Sequence, residues 1–302
     1  MPEPAQAETN GTSPVGDGSG FRRILVAYDG SPSAEDALAL ARRLRDPAAG
    51  ALLLTYAVPD RVLHLHGRRS VASAEEDARA TLADVRASLP AGLHVGLRTP
   101  RASSPARGLT ELAEHEPADL IAIGSAKGAS GERIGLARTA GRLLQGAPCA
   151  VAVAPPGLRE SGSFRHVGVA YDGSAEAAKA LSIGFAIAQR DGSAVTLYTA
   201  LDNLLDRPEE ATRKLRRELQ ERLDRAADSA PDGVNPGTVL LHGATGEVIA
   251  EACDGVVDLL VVGSRGYGPI QRALLGSVSE ELIARARHPV LVIPRQPDPS
   301  RG

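Results

Sequence analysis

A chain of 302 residues with 43% hydrophobic content is long enough for about two domains and has ample apolar material for two cores. Its net charge of −3, spread over interspersed acids and bases, and its 3% aromatic content argue against a nucleic-acid partner, which would want a basic field or stacking platforms. No apolar run approaches the length of a membrane span and the first residues lack the charged-then-apolar pattern of a secretory leader, so the expectation is a cytoplasmic protein with no membrane contact.

Residues 1–20 are Pro, Gly, Ser, Thr, Ala and acids, with almost nothing large and apolar to offset the cost of ordering, and read as a disordered tail. Gly16 and Gly18 follow no strand and are linker chemistry. Order begins at Phe21, where F-R-R-I-L-V-A-Y-D-G-S is answered by F-R-H-V-G-V-A-Y-D-G-S from Phe164. A repeat of this length is too long for a solenoid and marks a duplicated domain. Each copy reads strand, helix, strand, long helix, strand, helix, strand, helix, strand. In the first, residues 51–58 are the second strand; Ala78, Leu82, Val85 and Leu89 then mark an amphipathic helix that Ser73 and Glu76 are spaced to cap. The second has Ala194–Leu201 as its strand and Leu215, Leu219 and Leu223 on one face of a charged helix.

The apolar strands 120–123 and 151–153 correspond to 259–262 and Val290–Ile293. Such alternation predicts two tandem doubly wound α/β domains, Rossmann-like, each an open five-stranded parallel sheet with helices on both faces. The boundaries are 21–156 and 164–296, with the Pro- and Gly-rich stretch 157–163 as linker and 297–302 as a tail. Cys149 and Cys253 have no metal spacing and read as small buried hydrophobes.

One stretch stands out chemically. After the strand at 259–262 the chain reads G-S-R-G-Y-G-P-I-Q-R-A-L-L-G-S-V-S, placing Gly263, Gly266, Gly276 and Ser277 in the spacing G-x2-G-x9-G-S. A phosphate cradled by backbone N–H groups needs residues without a Cβ, and the carboxyl end of a strand in an open α/β sheet is the ligand edge. Ser277 opens the next helical pattern, whose first amides face the same anion, although Glu280 stands at capping-box distance from Ser277 and competes for them. A Gly-rich connection holding no ligand is the alternative.

This loop resembles the nucleotide-binding signature of the universal stress protein family, G-x2-G-x9-G-[ST], and the first-strand V-A-Y-D-G-S of both copies extends the resemblance over nearly all the ordered chain, in the tandem form of the family. The resemblance implies ATP as ligand, carrying Mg²⁺ where a metal is present, contacted by Val169, Ala170, Asp172, Ala200, Gly263, Ser264, Arg265, Gly266, Gly276, Ser277, Val278 and Ser279. Asp172 at the end of the first strand would lie against the nucleoside or the nucleotide-bound Mg²⁺. Asp-Gly-Ser is equally an ordinary turn before a helix cap, and both readings stand.

The first copy departs from the pattern, with Gly124, Lys127, Ala137 and Arg138 at the four positions. Long side chains replace open backbone there, so the nucleotide is expected in the second copy alone; a displaced set at Gly128, Gly131 and Gly141 begins four residues too late. Lys127, Arg133 and Arg138 holding an anion by charge is the alternative for this copy. No catalytic motif is present, and His64 and His66 lack a third metal ligand at a telling distance. The expectation is a non-enzymatic, ATP-binding regulatory protein of stress response. The alternatives are a scaffold that binds no nucleotide and a weak ATPase. The two copies are expected to pair through 151–153 and Val290–Ile293, whose edges would otherwise be open, and a homodimer is compatible with the same reading.

Overall fold

The computed structural model describes residues 20–60, 71–125, 134, 138–158, 162–202, 208–264 and 277–294. The first half runs β1 (Arg23–Ala27), α1 (Pro32–Leu44), β2 (Ala51–Thr55), β3 (Val58–Pro59), α2 (Val71–Ser88), β4 (His94–Arg98), β5 (Arg101–Ala102), α3 (Pro105–His115), β6 (Leu120–Gly124), α4 (Arg138–Gly146) and β7 (Ala150–Ala154). The second runs β8 (His166–Ala170), α5 (Ala175–Asp191), β9 (Ala194–Leu201), α6 (Glu209–Asp228), β10 (Gly237–His242), α7 (Thr245–Cys253), β11 (Leu259–Gly263), α8 (Ser277–Arg285) and β12 (Val290–Ile293).

The main strands form one sheet in the order β10-β9-β8-β11-β12-β7-β6-β1-β2-β4. Within each half every neighbour is parallel, giving the two five-stranded doubly wound units expected from the repeat. The halves meet where β12 pairs antiparallel with β7, in the register Val290 to Val153, Leu291 to Ala152 and Val292 to Val151. Both strands are buried along their length, as strands covered on both faces must be. The antiparallel seam also turns the carboxyl ends of the two sets of parallel strands to opposite edges of the sheet.

Alternate strand residues feed two cores. Val26, Leu54, Val169 and Val261 belong to one, under α1, α2, α5 and α6; Leu25, Ile123, Val262 and Val292 belong to the other, against α3, α4, α7 and α8. Fully burying a Val, Leu or Ile side chain contributes about 1.5–3 kcal/mol, so this alternation fixes the register of every strand. The central helices lie close on the sheet because their facing residues are small: a Cβ on Gly184 of α5 would stand 2.7 Å from Val169 Cγ2. Ser174 caps α5, its hydroxyl accepting from the Ala177 amide at 3.1 Å, and Gly192 ends it in the left-handed region at φ 68°.

Two local expectations are corrected. Residues 51–58 are not one strand: β2 stops at Thr55, and Val58–Pro59 pairs separately with β5. Pro100, between β4 and β5, has no N–H to continue the ladder, and its carbonyl instead accepts from the Val58 amide at 2.9 Å. Ser73 does not cap α2, because the helix is already under way at Val71. Ala78, Leu82 and Val85 are nonetheless its buried stripe, and Leu219, Leu223 and Ala226 are that of α6.

Candidate functional site

The candidate site builds from the middle of the second half, where the order β9-β8-β11-β12 reverses chain direction between β8 and β11. From β8 the chain winds outward through β9 to β10, then returns to the other side for β11 and β12. In an open α/β sheet, ligands are taken at the carboxyl ends of the strands on either side of such a reversal. Gly263 ends β11 at this point, and Ser277 begins α8. The glycine-spaced loop thus starts at the strand end and finishes at a helix start, whose first amides have no intrahelical acceptor.

Four contacts set the geometry. Ser264 donates its amide to the Ile293 carbonyl at 2.8 Å, holding the loop's first residue to β12. Ser279, buried in the first turn of α8, donates its hydroxyl to the Gly263 carbonyl at 2.9 Å. That bond ties the amino end of α8 to the end of β11, so Ser279 positions the helix and its hydroxyl is committed to the backbone. On the β8 side, the Asp172 carboxylate accepts from the Ser174 amide at 2.9 Å and the Asp172 carbonyl accepts from Arg222 Nη1 at 2.7 Å. Gly173, between them, has φ 85°, a conformation that suits glycine alone.

The expected residues fall into different roles. Ala170 ends β8 half-buried, in register with Val262 and Tyr198, and Ala200 sits half-buried on β9 opposite Leu241. Val169 is fully buried under α5, so it shapes the sheet and has no side-chain surface at this edge. Val278 is half-buried against the core of α7 and α8. Arg265, Gly266 and Gly276 lie outside the described residues, as do Lys127 and Ala137 of the first half and the pair His64 and His66.

Gly263 has a reason to be glycine apart from any ligand. A Cβ there would meet Glu176 Cβ at 3.0 Å and the Ala177 nitrogen at 3.1 Å, both in the first turn of α5. Gly124 stands in the same relation to α1, where a Cβ would collide with the Ser33 carbonyl. This close helix approach accounts for the one glycine that the first half retains.

Arg222 is a site residue that the apolar periodicity of α6 passed over. It stands at position 222 between Leu219 and Leu223 on the buried stripe, and an arginine in such a stripe was the available signal. Arg222, Tyr171 and Gly173 line a cleft of about 470 Å³ between α5 and α6. The first half treats the equivalent tyrosine differently: Tyr28 is buried and donates its hydroxyl to Glu35, and burial with that carboxylate raises its pKa. Alanine at 178 takes the place of Glu35 in the second half.

Cys149 and Cys253 are buried free thiols, each pushed up to about 12 by burial, which suits packing rather than nucleophilic chemistry. Among the described residues no group of three or more His, Cys, Asp or Glu is placed to hold a metal ion. No described helix is long and apolar enough to cross a membrane.

The fold and this edge define a tandem α/β protein with a switch point in the sheet of its second half. The profile of the Universal stress protein family matches the chain twice, over residues 20–155 and 163–294. The chain belongs to the universal stress protein family, in a form with two family domains. It is 36% identical over 137 residues to a universal stress protein of Thermus aquaticus encoded in a QAH/OAS sulfhydrylase 3′ region, covering 43% of this chain and 98% of that one. With the universal stress protein YxiE of Bacillus subtilis it shares 30% identity over 146 residues, or 43% of this chain and 99% of the relative. The crystal structure of a universal stress protein from Archaeoglobus fulgidus covers 91% of this chain and 96% of its own at 19% identity, with a TM-score of 0.66, a likeness of fold.

Proposed function

We propose that this protein binds one ATP per chain, in the second domain, as a regulatory ligand of a cytoplasmic stress response rather than as a substrate to be turned over. The observation that carries the reading is the coincidence of the complete G-x2-G-x9-G-S spacing with the end of β11 and the start of α8, at the switch point between β8 and β11. In the first domain the same position has lost three of the four motif residues, to Lys127, Ala137 and Arg138.

The donor set fits a nucleotide. The first amides of α8 would face the phosphates, together with those of the glycine loop, and the serine and glycine content leaves their approach open. Asp172, anchored by Ser174, would take the ribose hydroxyls or stand near a nucleotide-bound Mg²⁺. Ala170 and Ala200 offer small side chains where the base would lie. The domains are taken as 21–156 and 164–296, joined by 157–163.

Equilibrium binding of a fluorescent ATP analogue tests the site. Gly276→Arg places a long side chain at the phosphate position while leaving both cores untouched, and affinity is expected to fall below detection. Unchanged affinity in a variant that still melts cooperatively would remove the assignment. Steady phosphate release that is lost in Asp172→Ala would favour an ATPase instead.

A further inference from the structure

The turn that follows the first strand of each domain is built from the same three residues, Asp29-Gly30-Ser31 and Asp172-Gly173-Ser174. Its backbone is the same in both. Gly30 has φ 77° and Gly173 has φ 85°, and each aspartate carboxylate accepts from the serine amide two residues on, at 3.1 Å for Asp29 and 2.9 Å for Asp172. These bonds lie within the turn, so the sequence Asp-Gly-Ser shapes it locally in either domain.

What differs is the helix packed against the turn. In the second domain α6 brings Arg222, whose Nη1 donates to the Asp172 carbonyl at 2.7 Å; a Cβ on Gly173 would stand 2.7 Å from Arg222 Cδ and 3.1 Å from its Nε. In the first domain α2 brings Thr81. Its Cγ2 is, among the described residues, the one atom within 4 Å of a Cβ placed on Gly30, and its hydroxyl donates to the Asp77 carbonyl of its own helix at 2.9 Å. Threonine thus gives the first turn a methyl group and no donor, yet Gly30 keeps the left-handed conformation. The turn does not need an arginine in order to form. Arg222, half-buried beside the apolar stripe of α6, orders a long side chain at an entropic cost, and it does so in the domain whose glycine loop is complete.

The consequence falls on Asp172, which is held at both ends: its carbonyl by a charged donor from α6 and its carboxylate by the Ser174 amide. A carboxylate only accepts, and its hydrogen bonds weaken steeply when misaligned, so a fixed carboxylate discriminates between ligands that present hydroxyl donors and ligands that lack them. On a nucleotide those donors are the ribose hydroxyls.

Resting on the nucleotide reading of this site, we propose that Arg222 is a positioning residue for ribose selection: by fixing the Asp172 carbonyl it holds the Asp172 carboxylate where the ribose hydroxyls donate to it, and the second domain takes ribonucleotides in preference to nucleotides without them. Calorimetric titration of unlabelled ATP and of 2′,3′-dideoxy-ATP into the full chain tests this. The parent is expected to prefer ATP by about tenfold or more, the worth of hydrogen bonds to a charged group. Arg222→Thr, which installs the residue that serves the first domain's turn, should lose most of that preference, as should Asp172→Ala, and the double variant should lose no more than either. Removing a cation weakens the binding of both triphosphates alike, so the ratio between them reports the positioning and a general loss of charge or stability does not move it. Arg222→Met keeps the stem without the donor and is expected to behave as Arg222→Thr, which keeps the test open if threonine unfolds the helix. A preference for ATP retained in the Arg222 variants or in Asp172→Ala would overturn the proposal. Equal binding of the two nucleotides by the parent would overturn it while leaving the nucleotide site in place, and binding of neither would remove the nucleotide reading itself and this inference with it.

Discussion

At the scale of single residues, what a glycine is for depends on what its missing Cβ would touch. Gly124 and Gly263 occupy equivalent strand ends, but a Cβ on Gly124 would strike the Ser33 carbonyl, whereas one on Gly263 would meet Glu176 Cβ and the Ala177 nitrogen at 3.0–3.1 Å. An overlap to 1.9 Å with helix backbone demands a larger shift than contacts that need only a few tenths of an ångström. Gly263→Ala is therefore expected to destabilise by about 1–3 kcal/mol and Gly124→Ala by more, measured by urea unfolding. Equal losses would mean that α1 can shift as freely as α5. His288 provides a second test. Its folded pKa lies below the ordinary 6.5 because burial disfavours the cation, so the unfolded chain binds the proton more readily. Stability is thus full above pH 6.5 and declines as pH falls from there towards the folded value. His288→Gln should flatten that part of a melting-temperature profile against pH, and an unaltered profile would show that other groups set the slope.

At the scale of elements, the placement of α8 matters most, because a helix start serves a ligand only if it is held where the strand ends. The Ser279 hydroxyl on the Gly263 carbonyl supplies that hold. Ser279→Ala should cost about 0.5–1.5 kcal/mol of stability, the worth of one neutral hydrogen bond, and should weaken nucleotide binding although Ser279 spends its hydroxyl on the backbone. Parallel measurement of unfolding and of ATP-analogue affinity separates these effects, and a stability loss with full affinity would show that α8 stays in place without it. The connector is also an element held by one side chain: Asp36 of α1, buried, accepts from the Gly157 amide at 3.0 Å. The equivalent residue of the second domain is Lys179, so this contact belongs to the junction and not to the repeat.

At the scale of the whole molecule, the antiparallel seam makes one ten-stranded sheet of two domains. More than strand pairing crosses it. Arg190 of α5 donates from Nη2 to the Arg43 carbonyl at 2.9 Å while the same Nη2 and Nε hold the Asp191 carboxylate, and the Ile134 amide of the first domain donates to the Ala286 carbonyl at the end of α8 at 2.8 Å. The segment that would be a nucleotide loop in the first domain therefore has a residue docked on the second, with Ile134 buried in the shared core. Under the proposed function one nucleotide binds per chain, and calorimetry on the whole protein should return a single site. Two equivalent sites would show that Lys127, Ala137 and Arg138 do not prevent binding.

The strand and helix order, the duplication and the pairing of the last strands were legible from residue order, because apolar periodicity and an exposed edge are local properties of Val, Ile and Leu runs such as 259–262 and Val290–Ile293. The spacing of Gly263, Gly266, Gly276 and Ser277 was equally visible. Its place at a switch point came from strand order, which no local pattern encodes. Tertiary structure alone decided that Gly263 makes room for α5, that Val169 is sealed in the core, and that Ser279 and Arg222 tether the two sides of the switch point. It also broke the strand at 51–58, opposite a proline between β4 and β5, and brought Arg43 and His288 to one cleft from positions 245 residues apart in the chain. Sequence pattern reports what a residue prefers over a few turns of chain; packing between distant segments sets which neighbour it meets, and the chemistry of the candidate site rests on such meetings.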